Sequence, residues 1–280
     1  MIEILEKFYN IKNVQYKEYN NGIVFTIDGI NYYLVNTFYN EEKINDIYKL
    51  SLFLRRRNIR VHEFVFNNKN LLLSDGYVLF KVNVLIDDID LKDISLFNIM
   101  VNEYKNEYIS FNKFWEDKID YLEIQLSELS SNKLINNSFD YFVGISELLL
   151  SFCRDNYIYD KNVYLIHRIF NSLNSLDFYN PLNVTVGCKY KDIVSYIKIT
   201  DNFDILDRLL NEIDDNDKIY VFSRMCFPFK YFETINDVLL SNTDEQVLID
   251  IVENVEQYEE FLRNMELLFG INLFSWIKKE

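Results

Sequence analysis

Hydrophobic and polar positions follow one period in the first part of the chain and another beyond it. Ile23-Val24-Phe25-Thr26-Ile27 is β-branched and aromatic and lies between Asn21-Gly22 and Asp28-Gly29. Both dipeptides favour the positive φ of hairpin turns, so the run is predicted as a strand. Ile30 to Val35 supplies the next apolar run and completes a predicted three-stranded meander. Ile44, Ile47, Tyr48 and Leu52 then fall on one helical face. His62 to Phe66 returns to strand, and Ser74-Asp75-Gly76 turns into a last strand over Tyr77 to Val82. The predicted order is βββαββ.

Leu85 to Asp93 is an acidic connector, and the helical period dominates after it. Trp115, Ile119, Leu122, Leu126 and Leu129 form one apolar stripe; Phe139, Phe142, Val143, Leu149, Leu150 and Cys153 form another. Stripes of this spacing face a protein core. A last helix carries Val247, Ile251, Val255, Tyr258, Leu262, Met265 and Phe269, with a capping box from Thr243 and Gln246 and a stop at Gly270. The acidic run Glu212 to Asp217 fits a solvated turn.

Composition narrows the function classes. With 49% hydrophobic and 16% aromatic residues, the 280-residue chain can fill a large core. The formal charge of -15 disfavours nucleic-acid and anionic-membrane partners, because an acidic surface repels phosphate. Three widely spaced cysteines, Cys153, Cys188 and Cys226, suit buried thiols in a reducing compartment. The first residues lack a basic and apolar leader pattern, so a cytoplasmic location is expected. No P-loop, G-x-S-x-G or H-E-x-x-H motif occurs.

The segment most informative about chemistry is Val163 to Lys198. It contains a strand, Tyr164-Leu165-Ile166-His167-Arg168, and a break, Asp177-Phe178-Tyr179-Asn180-Pro181-Leu182-Asn183. Another strand, Val184-Thr185-Val186-Gly187-Cys188, and a helix from Lys191 follow. This order resembles the catalytic centre of aminoglycoside-phosphotransferase-like kinases, nearest the spore-coat kinase-like branch. Arg224-Met225-Cys226-Phe227-Pro228-Phe229-Lys230-Tyr231-Phe232 resembles an arginine, Phe-Pro, Tyr-Phe segment of the same branch. The resemblance implies an α+β, bilobal protein-kinase-like fold: a small antiparallel β-sheet lobe over residues 1–84 and a larger, mainly helical lobe over 85–280.

The resemblance also sets a chemical test. Where the family carries a base Asp two residues after the His, this chain has Ile169. Where it carries a metal-binding Asp after the second strand, Gly187-Cys188 stands, and a thiol suits magnesium poorly. The third strand, Asn31-Tyr32-Tyr33-Leu34-Val35-Asn36, lacks the family's phosphate-pairing lysine; Lys43 lies in the following helix. The Glu that would partner that lysine could be only Glu41 or Glu42. Phosphoryl transfer depends mostly on positioned charge, so these losses together imply a catalytically inert pseudokinase acting through a protein partner. Neither ATP nor magnesium is then expected as a cofactor.

The alternative is an active small-molecule phosphotransferase with relocated groups, in which His167, Asp177 and Asn183 are the candidate catalytic residues and ATP with magnesium is required. Asp177 and Asn183 are six apart where the family spaces Asp and Asn by five. A further alternative is a phage or mobile-element interaction protein with the same topology. Asp192 resembles the family's Asp that braces helix and loop, and is expected to be structural.

Overall fold

A computed structural model of the chain describes residues 1–82, 89–102, 110–129, 133–159, 162–240 and 245–277. It forms two compact units, Met1–Val101 with Tyr164–Val186, and Asn102–Val163 with Gly187–Glu280.

The first unit is built on an antiparallel sheet. Its strands are β1 (Tyr16–Tyr19), β2 (Gly22–Ile27), β3 (Ile30–Asn36), β4 (Glu63–Val65), β5 (Leu73–Ser74) and β6 (Tyr77–Val82), in the order β1-β2-β3-β6-β4 with β5 also pairing β6. Both faces are apolar, because alternate residues of each strand point opposite ways. Leu34, Leu79, Ile23 and Phe25 pack with Leu5 of helix α1 (Ile2–Tyr9). Tyr33, Val35, Val78 and Phe80 pack with Ile44 and Ile47 of α2 (Glu41–Arg56), and with Leu176 and Leu182. That second cluster holds the Asp177–Asn183 segment under the sheet. α1 has no counterpart in the predicted βββαββ order.

The first hairpin differs from its prediction by one residue. Tyr19 pairs with Gly22, so Asn20-Asn21 makes the turn and Gly22 opens β2. Asn20 takes the positive φ, 47°. Glycine is needed at 22 for space: a Cβ there would stand 2.3 Å from the Leu34 carbonyl oxygen and 2.6 Å from Tyr33 Cε2. Asp28 and Gly29 do form the next turn, both with positive φ.

In the same unit, α3 (Leu91–Phe97) opens with a capping box between Asp90 and Asp93. Part of the expected acidic connector, residues 85–88, lies outside the described residues. Strands β7 (Tyr164–His167) and β8 (Val184–Gly187) pair with each other. Between them run a helical turn, α6 (Ser175–Phe178), and a 3-10 turn, Pro181–Asn183.

The second unit is helical: α4 (Phe111–Leu129), α5 (Lys133–Asn156), α7 (Lys191–Thr200), α8 (Phe203–Glu212), α9 (Asp215–Cys226), α10 (Phe229–Leu239), α11 (Glu245–Glu253) and α12 (Val255–Phe269). Trp115, Ile119, Leu122 and Leu126 are buried, as their stripe predicts; the side chain of Leu129 lies outside the described residues. Phe139, Phe142, Val143, Leu149, Leu150 and Cys153 of α5 are buried too. The core is aromatic: Phe142 stacks on Tyr231 at 3.8 Å, and Trp115 meets Phe227 at 4.6 Å between centroids.

The expected last helix is two, broken at Asn254. Gly270, φ 65°, ends α12 as expected. Thr243 of the expected capping box lies outside the described residues. Among the described residues, no helix is long and apolar enough to cross a membrane.

Candidate functional site

The segment from His167 to Asn183 lies within the first unit and is held by its own side chains. His167 ends β7 with no exposed surface. Its ring stacks on Phe178 at 4.0 Å and lies 4.3 Å from Phe97, and Nε2 donates to the Phe178 carbonyl at 2.9 Å. An imidazole so enclosed ties the loop to the core and has no access to an external proton donor.

Asn183 is a clamp. Its Oδ1 accepts from the Ile169 N–H at 2.9 Å, and its Nδ2 donates to the carbonyls of Ile169 at 2.7 Å and Asp177 at 3.2 Å. The Arg168 N–H donates to the Asn183 carbonyl at 2.6 Å. The backbone at Ile169 is therefore fixed from both sides while its side chain stands 59% exposed.

Asp177 lies in the single turn of α6, started by Asn174, whose side chain accepts from the Leu176 N–H. Its carboxylate faces the β1–β2 turn. The Tyr19 hydroxyl donates to Oδ2 at 2.7 Å, and Asn20 Nδ2 stands 3.4 and 3.5 Å from the two carboxylate oxygens. Tyr33, 2% exposed, meets Tyr19 edge-on at 6.0 Å. Burial, then the hydrogen bond and charge of Asp177, pushes the Tyr19 hydroxyl well above the ordinary phenol range. Tyr33 is raised by burial and by the same carboxylate. Both phenols therefore stay protonated at neutral pH, Tyr19 as a donor.

β3, INYYLVN, carries no lysine, and its Tyr33 pairs with Phe80 of β6. Lys43 stands in the first turn of α2, where its backbone N–H is bound by the Asn40 cap, beside exposed Glu41 and Glu42. In the second unit, Cys188 follows the end of β8; burial pushes its thiol up, and Tyr157 Oη lies 3.5 Å from Sγ. Among the described residues, no three His, Cys, Asp or Glu side chains converge as a metal site. Asp192 occupies the first turn of α7, 3% exposed, with Lys191 Nζ at 3.6 Å.

The structure thus joins Asp177 and Asn183 in one loop and seals His167 beside it. Sequence reasoning missed Tyr19 and Asn20 as partners of Asp177. No local signal could have found them, since 158 positions separate Tyr19 from Asp177.

The likeness to solved structures fits this arrangement. The chain matches an aminoglycoside phosphotransferase from Alicyclobacillus acidocaldarius at a TM-score of 0.63 and 10% identity, over 91% of this chain and 92% of that one. It matches a spectinomycin phosphotransferase solved with ADP and spectinomycin at 0.55 and 13%, over 96% of each. A choline kinase from Streptococcus pneumoniae matches at 0.55 and 11%, over 94% and 98%. No protein-family model matches the chain, and no curated protein does. The chain therefore has the kinase-like fold that these structures share, at identities that speak for architecture alone.

Proposed function

We propose that this protein is a pseudokinase, a kinase-like fold without phosphotransfer, that works in the cytoplasm by binding a protein partner. The observation that carries this reading is the closed polar loop around Ile169. The base position holds an exposed aliphatic side chain, Asn183 is spent on holding that residue's backbone, and Asp177 is engaged by Tyr19 and Asn20. Phosphoryl transfer needs cations on the phosphates and a group to orient the nucleophile, and β3 contains no lysine. A spore-coat role is consistent with the resemblance of Val163 to Lys198 and Arg224 to Phe232 to that branch.

A second reading, an active small-molecule phosphotransferase, draws on one observation: Asp177 and the Asn183 side chain belong to one hydrogen-bonded loop. In that case ATP with magnesium would have to displace Tyr19 from Asp177. A thermal-shift titration with ATP, with and without magnesium, separates the two. Nucleotide at about a hundred times its Kd stabilises a fold by about 2.7 kcal/mol. The pseudokinase reading expects no shift at millimolar ATP. A magnesium-dependent shift that vanishes in Asp177→Ala would establish the phosphotransferase reading instead.

A further inference from the structure

The second unit contains a buried arginine whose Nε is unpaired. Arg224, in the last turn of α9, is 8% exposed, and its buried Nε has no hydrogen-bond partner among the described residues. Three rings surround it: Phe229 at 4.9 Å, Phe111 at 5.3 Å and Tyr220 at 5.9 Å from Cζ to centroid. The natural acceptors nearby would be the free carbonyls at the end of α9. Lys198 takes them, donating from Nζ to the carbonyls of Met225 at 3.0 Å, Phe227 at 3.2 Å and Arg224 itself at 3.5 Å.

Cations are concentrated here on a protein that is otherwise acidic. Lys198 Nζ lies 4.8 Å from the Phe229 centroid, so both cations stand against the same ring. Arg224 also acts electrostatically on Lys191, at the start of α7, and both lysines are pulled down to about 8, first by burial and in part by Arg224. The buried carboxylate of this group is Asp192, 3.6 Å from Lys191; Glu233 also faces both lysines but is exposed.

A guanidinium cannot shed its proton, so burial leaves its charge in place. Aromatic faces compensate part of that charge, and an uncompensated buried cation is strongly unfavourable. A planar fork of N–H donors fits the oxygens of a carboxylate or phosphate. We propose that Arg224, flanked by Lys198 and Lys191, is the core of a binding site for a small oxyanion, a phosphate or carboxylate group, in the second unit. The site is separate in sequence and in unit from Asp177, and the proposal does not depend on whether the first unit binds nucleotide.

The test uses the full chain and inorganic phosphate, with acetate as the carboxylate probe, each added at millimolar concentration against chloride of equal ionic strength. Phosphate or acetate should raise the wild-type Tm in a saturable way, and the responding anion identifies the oxyanion class. Arg224→Gln should weaken the response at least tenfold, while Asp177→Ala should leave it intact. No anion-specific response in the wild type, or an equal one in Arg224→Gln, overturns the proposal and leaves Arg224 as a ring-stacked structural cation. Because Arg224→Gln can unfold the unit, NMR line broadening of both anions, phosphorus-31 for phosphate and carbon-13 for acetate, is measured on the wild type and on Lys198→Met. Broadening of either anion by the wild type, with an affinity that falls at least tenfold in Lys198→Met, supports the site; no broadening of either, or an unchanged affinity, sinks it.

Discussion

The Tyr19 hydroxyl donates to the Asp177 carboxylate at 2.7 Å, and this contact ties the tip of the first hairpin to the loop between β7 and β8. Tyr19 also leans on Tyr33, whose ring lies against Gly22. A glycine and two tyrosines therefore occupy the space between hairpin and loop.

Tyr19→Phe keeps the ring and removes the hydroxyl donor. A partly buried hydrogen bond to a carboxylate contributes about 1.5–3 kcal/mol at most, less where water can replace it. Expected are a modest fall in stability and faster amide exchange in β1 and β2. Exchange confined to its wild-type rates would show that the Tyr19–Asp177 contact does not hold the hairpin.

Ile169→Asp restores a carboxylate at the family's base position. The side chain is 59% exposed, so the fold should tolerate it within about 0.5 kcal/mol. On the pseudokinase reading, ATP turnover should remain at background. Measurable hydrolysis in this single variant would mean that the remaining machinery is intact.

Asn183→Ala removes an acceptor and two donated bonds from the loop. At about 0.5–1.5 kcal/mol for each of these three hydrogen bonds, a loss of about 1.5–4.5 kcal/mol is expected in urea unfolding. A loss below about 0.5 kcal/mol would argue that water replaces the clamp.

His62 gives the fold a pH dependence. It is fully buried, and burial lowers its imidazole to about 4, while Nε2 stays a donor to the Leu176 carbonyl at 3.2 Å. The unfolded chain binds that proton near pH 6.5 and the folded one does not. Its contribution to stability is therefore complete above about pH 6.5 and is lost as pH falls from there toward 4, by up to about 1.4 kcal/mol per unit. Unfolding free energies of the wild type and His62→Gln, compared across this window, should converge as pH falls. Parallel curves would exclude His62 as the titrating group.

Gly22→Ala tests the close approach of β2 to β3. The added methyl would meet the Leu34 carbonyl oxygen, a backbone atom that cannot rotate away. A loss of about 1–3 kcal/mol is expected, with the melting temperature as the readout.

Much of this was written locally. Strand and helix periods, the Asp28-Gly29 turn and the Gly270 stop depend on residues a few positions apart, and they appear as the sequence suggests. Ile169, a third strand without lysine and Gly187-Cys188, on which the pseudokinase reading rests, are also plain in the sequence, because a residue type needs no fold to be recognised. Two local readings shifted. The first turn moved to Asn20-Asn21 because strand pairing with β3 sets the register, and the last helix divides at Asn254 although its apolar stripe continues.

What the sequence could not decide was which polar group meets which. Asp177 reads as a turn residue or a base, and only the fold brings Tyr19, 158 positions away, against it. Asn183 reads as part of the same turn or as a metal ligand, and only the fold closes its amide on Ile169. His167 reads as a packing ring or a proton carrier, and in the fold its ring packs between Phe97 and Phe178. Arg224 looks like any helix-terminal cation until Lys198 is seen to take the carbonyls it would have used. Composition and period depend on neighbours along the chain, whereas the partner of a charge is set by contacts that only the folded core creates.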